Sequence, residues 1–377
     1  MEVLLLDKSQ KICGIIPGVI GNNKYDIYII KLLQMKEDFK KDWPVYIIFL
    51  VVTIVFVQEI IGASSKIQQP NPQETQPAYW VAPSLYLDNS VAGEQRKMVI
   101  YGEDLIANTS RYLGPKGSVM QISNGMNCQN CHLDAGKREW GNNYGAVAST
   151  YPKFRERSGK VENISKRVND CFERSLNGKA LDTLGYEMKS IIAYINWLGQ
   201  NVKKGEKPKG AGITDLSYLA RAASPIKGQS IYTQKCLSCH GTNGQGVENN
   251  NKIGYAYPPL WGENSYNNGA GLFRLSRLAG YVKDNMPFNQ AKHDAPVLTD
   301  EESWDVAAFV NAQPHPVVDI SKDWPNITAK PIDHPFGPYS DGFSEAQHKF
   351  GPFQPIIAKR KEMKKAGSLP QPNNITK

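Results

Sequence analysis

Cys128-Gln-Asn-Cys131-His132 and Cys236-Leu-Ser-Cys239-His240 decide the fold. Both read Cys-x-x-Cys-His, the attachment signal for a c-type haem. The spacing is dictated by chemistry. Two thiols separated by two residues reach the two vinyl groups along one porphyrin edge and add as thioethers. The next residue places an imidazole under the iron as proximal ligand. With six Cys and six His in the 377 residues of the chain, chance supplies about 10⁻³ such pentapeptides, so two copies exclude coincidence. Paired zinc-binding Cys-x-x-Cys knuckles are the competing reading, and the His after each pair disfavours them. The expected cofactors are two covalently bound haem c groups, held by Cys128, Cys131 and His132 and by Cys236, Cys239 and His240.

The surroundings of the two motifs repeat. Lys227-Gly-Gln-Ser-Ile-Tyr232 precedes the second motif as a short helix would. Downstream, Thr299-Asp-Glu-Glu302 is a capping box that opens a helix carrying Trp304, Ala307, Ala308 and Asn311 at helical spacing. Around the first motif, the 100–106 segment precedes and the amphipathic 188–195 segment follows. Strand-like alternation is scarce. The expected fold class is all-α, two cytochrome c-type domains in tandem, with an irregular linker and a C-terminal tail.

The expected organisation is an N-terminal extension with a signal or anchor over 1–65, a Gln/Pro/Asn-rich linker over 66–90, a first haem domain over 91–209, a second over 210–317, and an extended tail over 318–377. Met35-Lys-Glu-Asp-Phe-Lys-Lys-Asp-Trp-Pro44 reads as a second possible start and a charged n-region. The apolar 45–61 segment that follows reads as a secretory h-region or a retained membrane anchor, with Gly62-Ala-Ser-Ser65 available for cleavage. The remainder is therefore expected to be exported to the periplasm. One apolar segment excludes a polytopic transporter. The formal charge of +8 favours anionic substrates or acidic partners. It does not point to nucleic acid, because no dense basic and aromatic array accompanies it.

Each iron has a sixth position. In Asp284-Asn285-Met286-Pro287, Met286 lies between the second motif and the capped last helix, where a small cytochrome c places its Met loop. A core methionine is the bland alternative, and Lys283 is a weaker candidate ligand. For the first iron, parity applies. Four of six cysteines form thioethers, and Cys13 precedes the apolar segment. Cys171 is then the unpaired cysteine of the exported part. An inert buried thiol is the alternative. Its neighbours are polar, and Arg155, Arg157, Lys160, Lys166 and Arg167 lie just upstream. Cationic surroundings favour thiolate, the form that ligates metal. Cys171 is therefore the expected distal ligand of the first haem. A thiolate stabilises ferric iron and a Met raises the potential, so electrons enter at the first haem and leave through the second.

With these residues in hand, the chain resembles the dihaem thiosulfate dehydrogenases (tetrathionate synthases). The resemblance rests on Asn127 with the first motif, Tyr151-Pro152, Arg157-Ser-Gly159, Val161-Glu-Asn-Ile164 and Arg167-Val-Asn-Asp-Cys171-Phe-Glu-Arg174-Ser175-Leu-Asn177-Gly178. It continues through the second motif, Asn285-Met286-Pro287 and Lys349-Phe-Gly-Pro-Phe353-Gln-Pro355, covering roughly residues 80–355. It implies that Cys171 ligates the active-site haem and that Arg157, Arg167 and Ser175 contact the sulfur oxyanion. The implied reaction joins two thiosulfates into tetrathionate with release of two electrons to a small cytochrome c or similar partner. Some members carry Lys directly before the Met and exchange ligands there; this chain has Asn285. A non-enzymatic dihaem electron carrier and a haem-thiolate subunit that conjugates thiosulfate to a carrier protein are the alternatives. His293, His315, His334, His348 and the tail cluster Lys359-Arg360-Lys361, Lys364-Lys365 are expected to be solvated, the cluster with a minor role in docking an acceptor.

Overall fold

The computed structural model describes residues 79–85 and 90–366, together with positions 47, 50–55, 57 and 58. The chain divides into two compact units, one ending at Thr75 and one beginning at Gln76. In the first unit the described positions of the 45–61 segment are helical, with exposed apolar side chains. No helix among the described residues is long and apolar enough to cross a membrane. The rest of that segment and Cys13 lie outside the described residues.

The second unit holds both haem motifs. In its first half, α1 (Gly93–Ala107) packs on α3 (Tyr186–Leu198), with the short α2 (Ile164–Asp170) between them in sequence. Val99, Gly102, Leu105 and Ile106 form the buried stripe of α1, and Met188, Ile191, Tyr194, Ile195 and Leu198 that of α3. These are the i, i+3, i+4 positions of an amphipathic helix. In the second half, α4 (Pro225–Lys235) and α5 (Leu275–Asn285) pack on α6 (Asp300–Ala312).

The expected repeat is visible at the two helix crossings. A Cβ on Gly102 of α1 would lie 2.1 Å from the Ser190 carbonyl oxygen of α3. A Cβ on Gly228 of α4 would lie 1.9 Å from that of Asp305 on α6. Each half thus brings two helix backbones into contact at a glycine that no other residue can replace without moving them. The capping box of α6 is as read: Glu302 N–H donates to Thr299 Oγ1 at 3.1 Å and Thr299 N–H to Glu302 Oε2 at 2.8 Å.

Among the described residues, strands are confined to two antiparallel pairs, β1 (Lys153–Arg155) with β2 (Lys160–Glu162) and β3 (Val247–Glu248) with β4 (Tyr255–Tyr257). The class is all-α, as expected.

The tail departs from expectation. It carries two helices, α7 (Glu345–Phe350) and α8 (Gln354–Lys365), and it is part of the core. Phe353 and Ile356 are buried with Tyr232 and Trp304 of the second domain. His334 and His348 are buried and His315 is half-buried, whereas His293 is exposed, as expected. His348 is fully buried, with Nδ1 2.7 Å from the Ile332 carbonyl and Nε2 2.9 Å from Asp341 Oδ1. His334 is 3% exposed. His315 stacks on Tyr266, and His293 on Trp140 at 4.2 Å. Arg360 also leaves the expected solvated cluster, since its Nε donates to Asp341 at 2.6 Å. Lys359, Lys361, Lys364 and Lys365 are exposed. A buried imidazole needs a partner for each ring nitrogen, and here the tail supplies them.

Candidate functional site

Two cavities lie in the second unit, one at each Cys-x-x-Cys-His motif. The larger has a volume of about 480 Å³. Cys128, Cys131 and His132 form part of its wall. Arg157, Arg167, Cys171 and Ser175, the residues singled out from sequence, form another part.

Local folding explains how these four converge. The β1–β2 hairpin turns the chain at Arg157. Asn163 then caps α2 by accepting a hydrogen bond from Lys166 N–H at 2.9 Å. One turn of α2 separates Arg167 from Cys171. From Cys171 to Ser175 the helix widens into a π turn, a local device that recurs at functional sites. The wider turn carries Cys171, Phe172, Ser175 and Leu176 in the wall of the same cavity.

The imidazoles are set to ligate. His132 Nδ1 lies 2.5 Å from the Asn142 carbonyl oxygen and His240 Nδ1 lies 2.9 Å from that of Pro258. A carbonyl only accepts, so each Nδ1 carries the proton and each Nε2 keeps its lone pair. Burial holds both rings neutral, pushing His132 down to about 4. Burial also pushes the Cys128 and Cys131 thiols up to about 12 and Cys236 to about 11. Among the described residues no group of three or more His, Cys, Asp or Glu is arranged to hold a metal ion. The donor set in each cavity, two thiols and one imidazole with a free Nε2, fits a covalently attached haem.

The two buried arginines differ. The charge of Cys171 raises Arg167 above the ordinary guanidinium range, against the cost of burial. Burial, and then the neighbouring charge of Arg174, lowers Arg157 to about 10. Arg157 Nη1 donates to the Gly269 carbonyl at 2.8 Å.

The second cavity, about 310 Å³, is lined by Cys236, Cys239, His240 and Met286. Met286 follows α5 directly as its C-cap, and its N–H donates to the Val282 carbonyl. Lys283, the weaker candidate, is held elsewhere. Its ammonium donates to the Leu298 carbonyl at 2.8 Å and pairs with Asp300 at 2.7 Å, and it is absent from the cavity wall. Asn285 is buried and donates to the Trp140 and Tyr281 carbonyls. The two cavities share Asn127, Cys131, Tyr266 and Leu272.

Sequence reading missed several wall residues of the first cavity: Lys153, Lys207, Arg274, Arg277 and Trp324. Arg155 was singled out only among the cationic surroundings of Cys171. Lys153 could have been found from the hairpin, where alternate strand residues share a face. Nothing local marks Trp324, which the tail brings back over a long sequence distance.

Comparison with known proteins gives a consistent result. The SoxA/TsdA cytochrome c domain family matches residues 118–203, and the cytochrome c family matches residues 226–313. A thiosulfate dehydrogenase from Psychrobacter arcticus is 35% identical over 54% of this chain and 61% of its own length. One from Allochromatium vinosum is 35% identical over 57% of this chain and 80% of its own length. The solved thiosulfate dehydrogenase TsdBA from Marichromatium purpuratum superimposes with a TM-score of 0.57 at 31% identity, covering 63% of this chain and 50% of that one. This chain thus spans only part of the first relative and half of the solved one.

Proposed function

The chain belongs to the thiosulfate dehydrogenase family, and from that premise we propose that it interconverts thiosulfate and tetrathionate in the larger cavity. Two c-type haems are its cofactors. When bound, they supply two one-electron sites, matching the two electrons of the reaction.

One observation carries the reading. Arg157, Arg167, Cys171 and Ser175 stand in the wall of the cavity that also holds the first haem motif. A dianionic substrate in a buried site needs cationic donors, and Arg157 and Arg167 hold its sulfonate oxygens through charge-assisted hydrogen bonds. Ser175 adds a neutral donor. Cys171 has two roles. At rest its sulfur would hold the first haem iron together with the neutral His132. In turnover its sulfur forms a sulfur–sulfur bond with the outer sulfur of one thiosulfate, giving Cys–S–S–SO₃⁻ and releasing two electrons. A second thiosulfate then attacks the sulfur that bears the sulfonate. Tetrathionate leaves and the Cys171 thiolate is restored, by the logic of thiol–disulfide exchange. Charge balances in both steps.

Met286 would hold the second haem iron together with His240. The wall shared through Asn127, Cys131, Tyr266 and Leu272 makes the second site the exit for electrons toward a small cytochrome c or similar partner. The setting is the periplasm, with the 45–61 segment as signal or anchor.

The test is thiosulfate-dependent reduction of purified holoprotein, with tetrathionate assayed as product and haem counted by the pyridine haemochrome. Reduction with a stoichiometric yield of tetrathionate and two haems per chain is expected. Two haems with no response to either sulfur anion would leave a plain electron carrier. Consumption of thiosulfate only in the presence of an acceptor protein that becomes modified would leave the conjugating subunit.

A further inference from the structure

The C-terminal tail reaches the larger cavity at one point, Asp323-Trp324. Trp324 N–H donates to the Arg157 carbonyl at 2.7 Å. Its indole lies against the Arg157 guanidinium, 5.8 Å from Cζ to the ring centroid, and lines the cavity. Asp323 grips Arg174 in two parallel hydrogen bonds, 2.5 Å and 2.9 Å, and its Oδ2 lies 3.7 Å from Arg157 Nε. Pro325 sits on Gly159, close enough that a Cβ there would come within 2.7 Å of it.

The backbone at this point is constrained. Trp324 has φ +63, a region costly for a residue with a large side chain. Such a conformation persists where the surroundings over-determine it, and it concentrates at functional sites. The surroundings here are Arg157, Arg174 and Gly159, all within or beside the anion site.

We propose that Asp323 and Trp324 are positioning residues for Arg157, so that the tail completes the anion site of the first haem domain. The identity of the anion rests on the function proposed above. The physical need is clear. Arg157 and Arg174 are neighbouring, mostly buried guanidiniums that repel one another. Asp323 lies between them and fixes Arg174 by a planar bidentate grip. Gly269 takes Nη1 of Arg157, Asp323 faces Nε and Trp324 covers the flat face. With Nη1 bonded to Gly269 and Nε paired with Asp323, Nη2 is left as the donor that the proposal assigns to an oxyanion.

The proposal makes a prediction of sign. Asp323 is a negative charge beside an anion site, so Coulomb's law alone says that removing it tightens anion binding. A positioning role says the reverse, because the freed guanidinium no longer aims its donor. Holoprotein and its Asp323→Asn and Trp324→Ala variants are titrated with radiolabelled thiosulfate by equilibrium dialysis, with thermal stability and haem spectrum recorded in parallel. The dissociation constant is expected to rise about tenfold in each, with KM rising in step and kcat within about twofold. Trp324→Phe keeps a ring over the guanidinium and is expected to bind within about threefold of the parent. Unchanged or tighter binding by a folded Asp323→Asn protein overturns the proposal. So does an equal loss in Trp324→Phe and Trp324→Ala. If Asp323→Asn does not fold, the two Trp324 variants decide. Parent protein that binds thiosulfate without oxidising it would remove the catalytic reading and leave the positioning role to be judged on binding. Parent protein that does not bind it overturns both.

Discussion

Arg167 and Cys171 stand one helical turn apart in the wall of a single cavity, and the charge of Cys171 holds the Arg167 guanidinium proton more firmly than in water. Under the proposed roles, a sulfur ligand and a cationic anion-binding group would then stabilise each other before substrate arrives. Removing the sulfur should break both roles. Cys171→Ser is expected to keep the fold and both haems, since the thioether cysteines are untouched. It should lose nearly all thiosulfate oxidation, and the first haem should change its spectrum and rise in potential. Redox titration with an activity assay checks this. An unchanged low-spin spectrum with near-parental turnover would remove Cys171 from the site.

Arg167→Ala separates binding from ligation. The lost contribution is one charge-assisted interaction with a buried anion, about 2 kcal/mol, or about thirtyfold in KM. Haem content should be unaffected. The first haem's spectrum should remain that of the parent. Steady-state kinetics with thiosulfate and with tetrathionate should show the same proportional loss in both directions.

Met286 touches the apolar cluster of Leu133, Ile213 and Tyr281 and also lines the second cavity. A packing role and a ligand role therefore need separating. Met286→Leu keeps apolar volume and removes only the sulfur, so the stability change should stay below about 1.5 kcal/mol. The potential of the second haem should fall, and electron exit should slow while thiosulfate affinity is retained. Protein-film voltammetry resolves the two haems. An unmoved potential would make Met286 a packing residue.

The legible parts were those written in contiguous sequence. Each Cys-x-x-Cys-His motif carries its chemistry within five residues. Thr299 and Glu302 declare a helix start because both partners of the capping box lie in one turn. Arg157, Arg167 and Ser175 came from the family resemblance, and one hairpin and one helix bring them with Cys171 into one cavity wall. The tail was illegible for the opposite reason. Arg174 meets Asp323 across 149 residues, and no local period announces that pairing. His348 and Arg360 read as solvated because they are polar, yet Asp341 meets one nitrogen of each inside the core. Burial of a polar group depends on its partner, and the partner is a tertiary fact.

The tail also makes stability depend on pH, through His334. This ring is buried, and Arg157, Lys330 and Arg274 all face it with positive charge, while Trp324 packs edge-on and the Phe336 carbonyl lies 3.2 Å from Nδ1. Burial first, then Arg157 and Lys330, lowers its pKa from 6.5 to about 4. The folded chain thus refuses a proton that the unfolded chain accepts. The contribution to stability is complete above pH 6.5 and is lost as pH falls from there toward 4. One proton contributes about 1.4 kcal/mol per pH unit, so the loss approaches about 3 kcal/mol at the acid end. Burial also lowers His315, so the informative quantity is a difference. His334→Gln should flatten the fall in thermal stability between pH 6.5 and 4 by one proton's worth relative to the parent. Hydrogen exchange should localise the parent's acid-induced opening to the tail around Asp323 and Trp324. Parallel stability curves for the two proteins would show that His334 protonates freely and that the tail is held by other contacts.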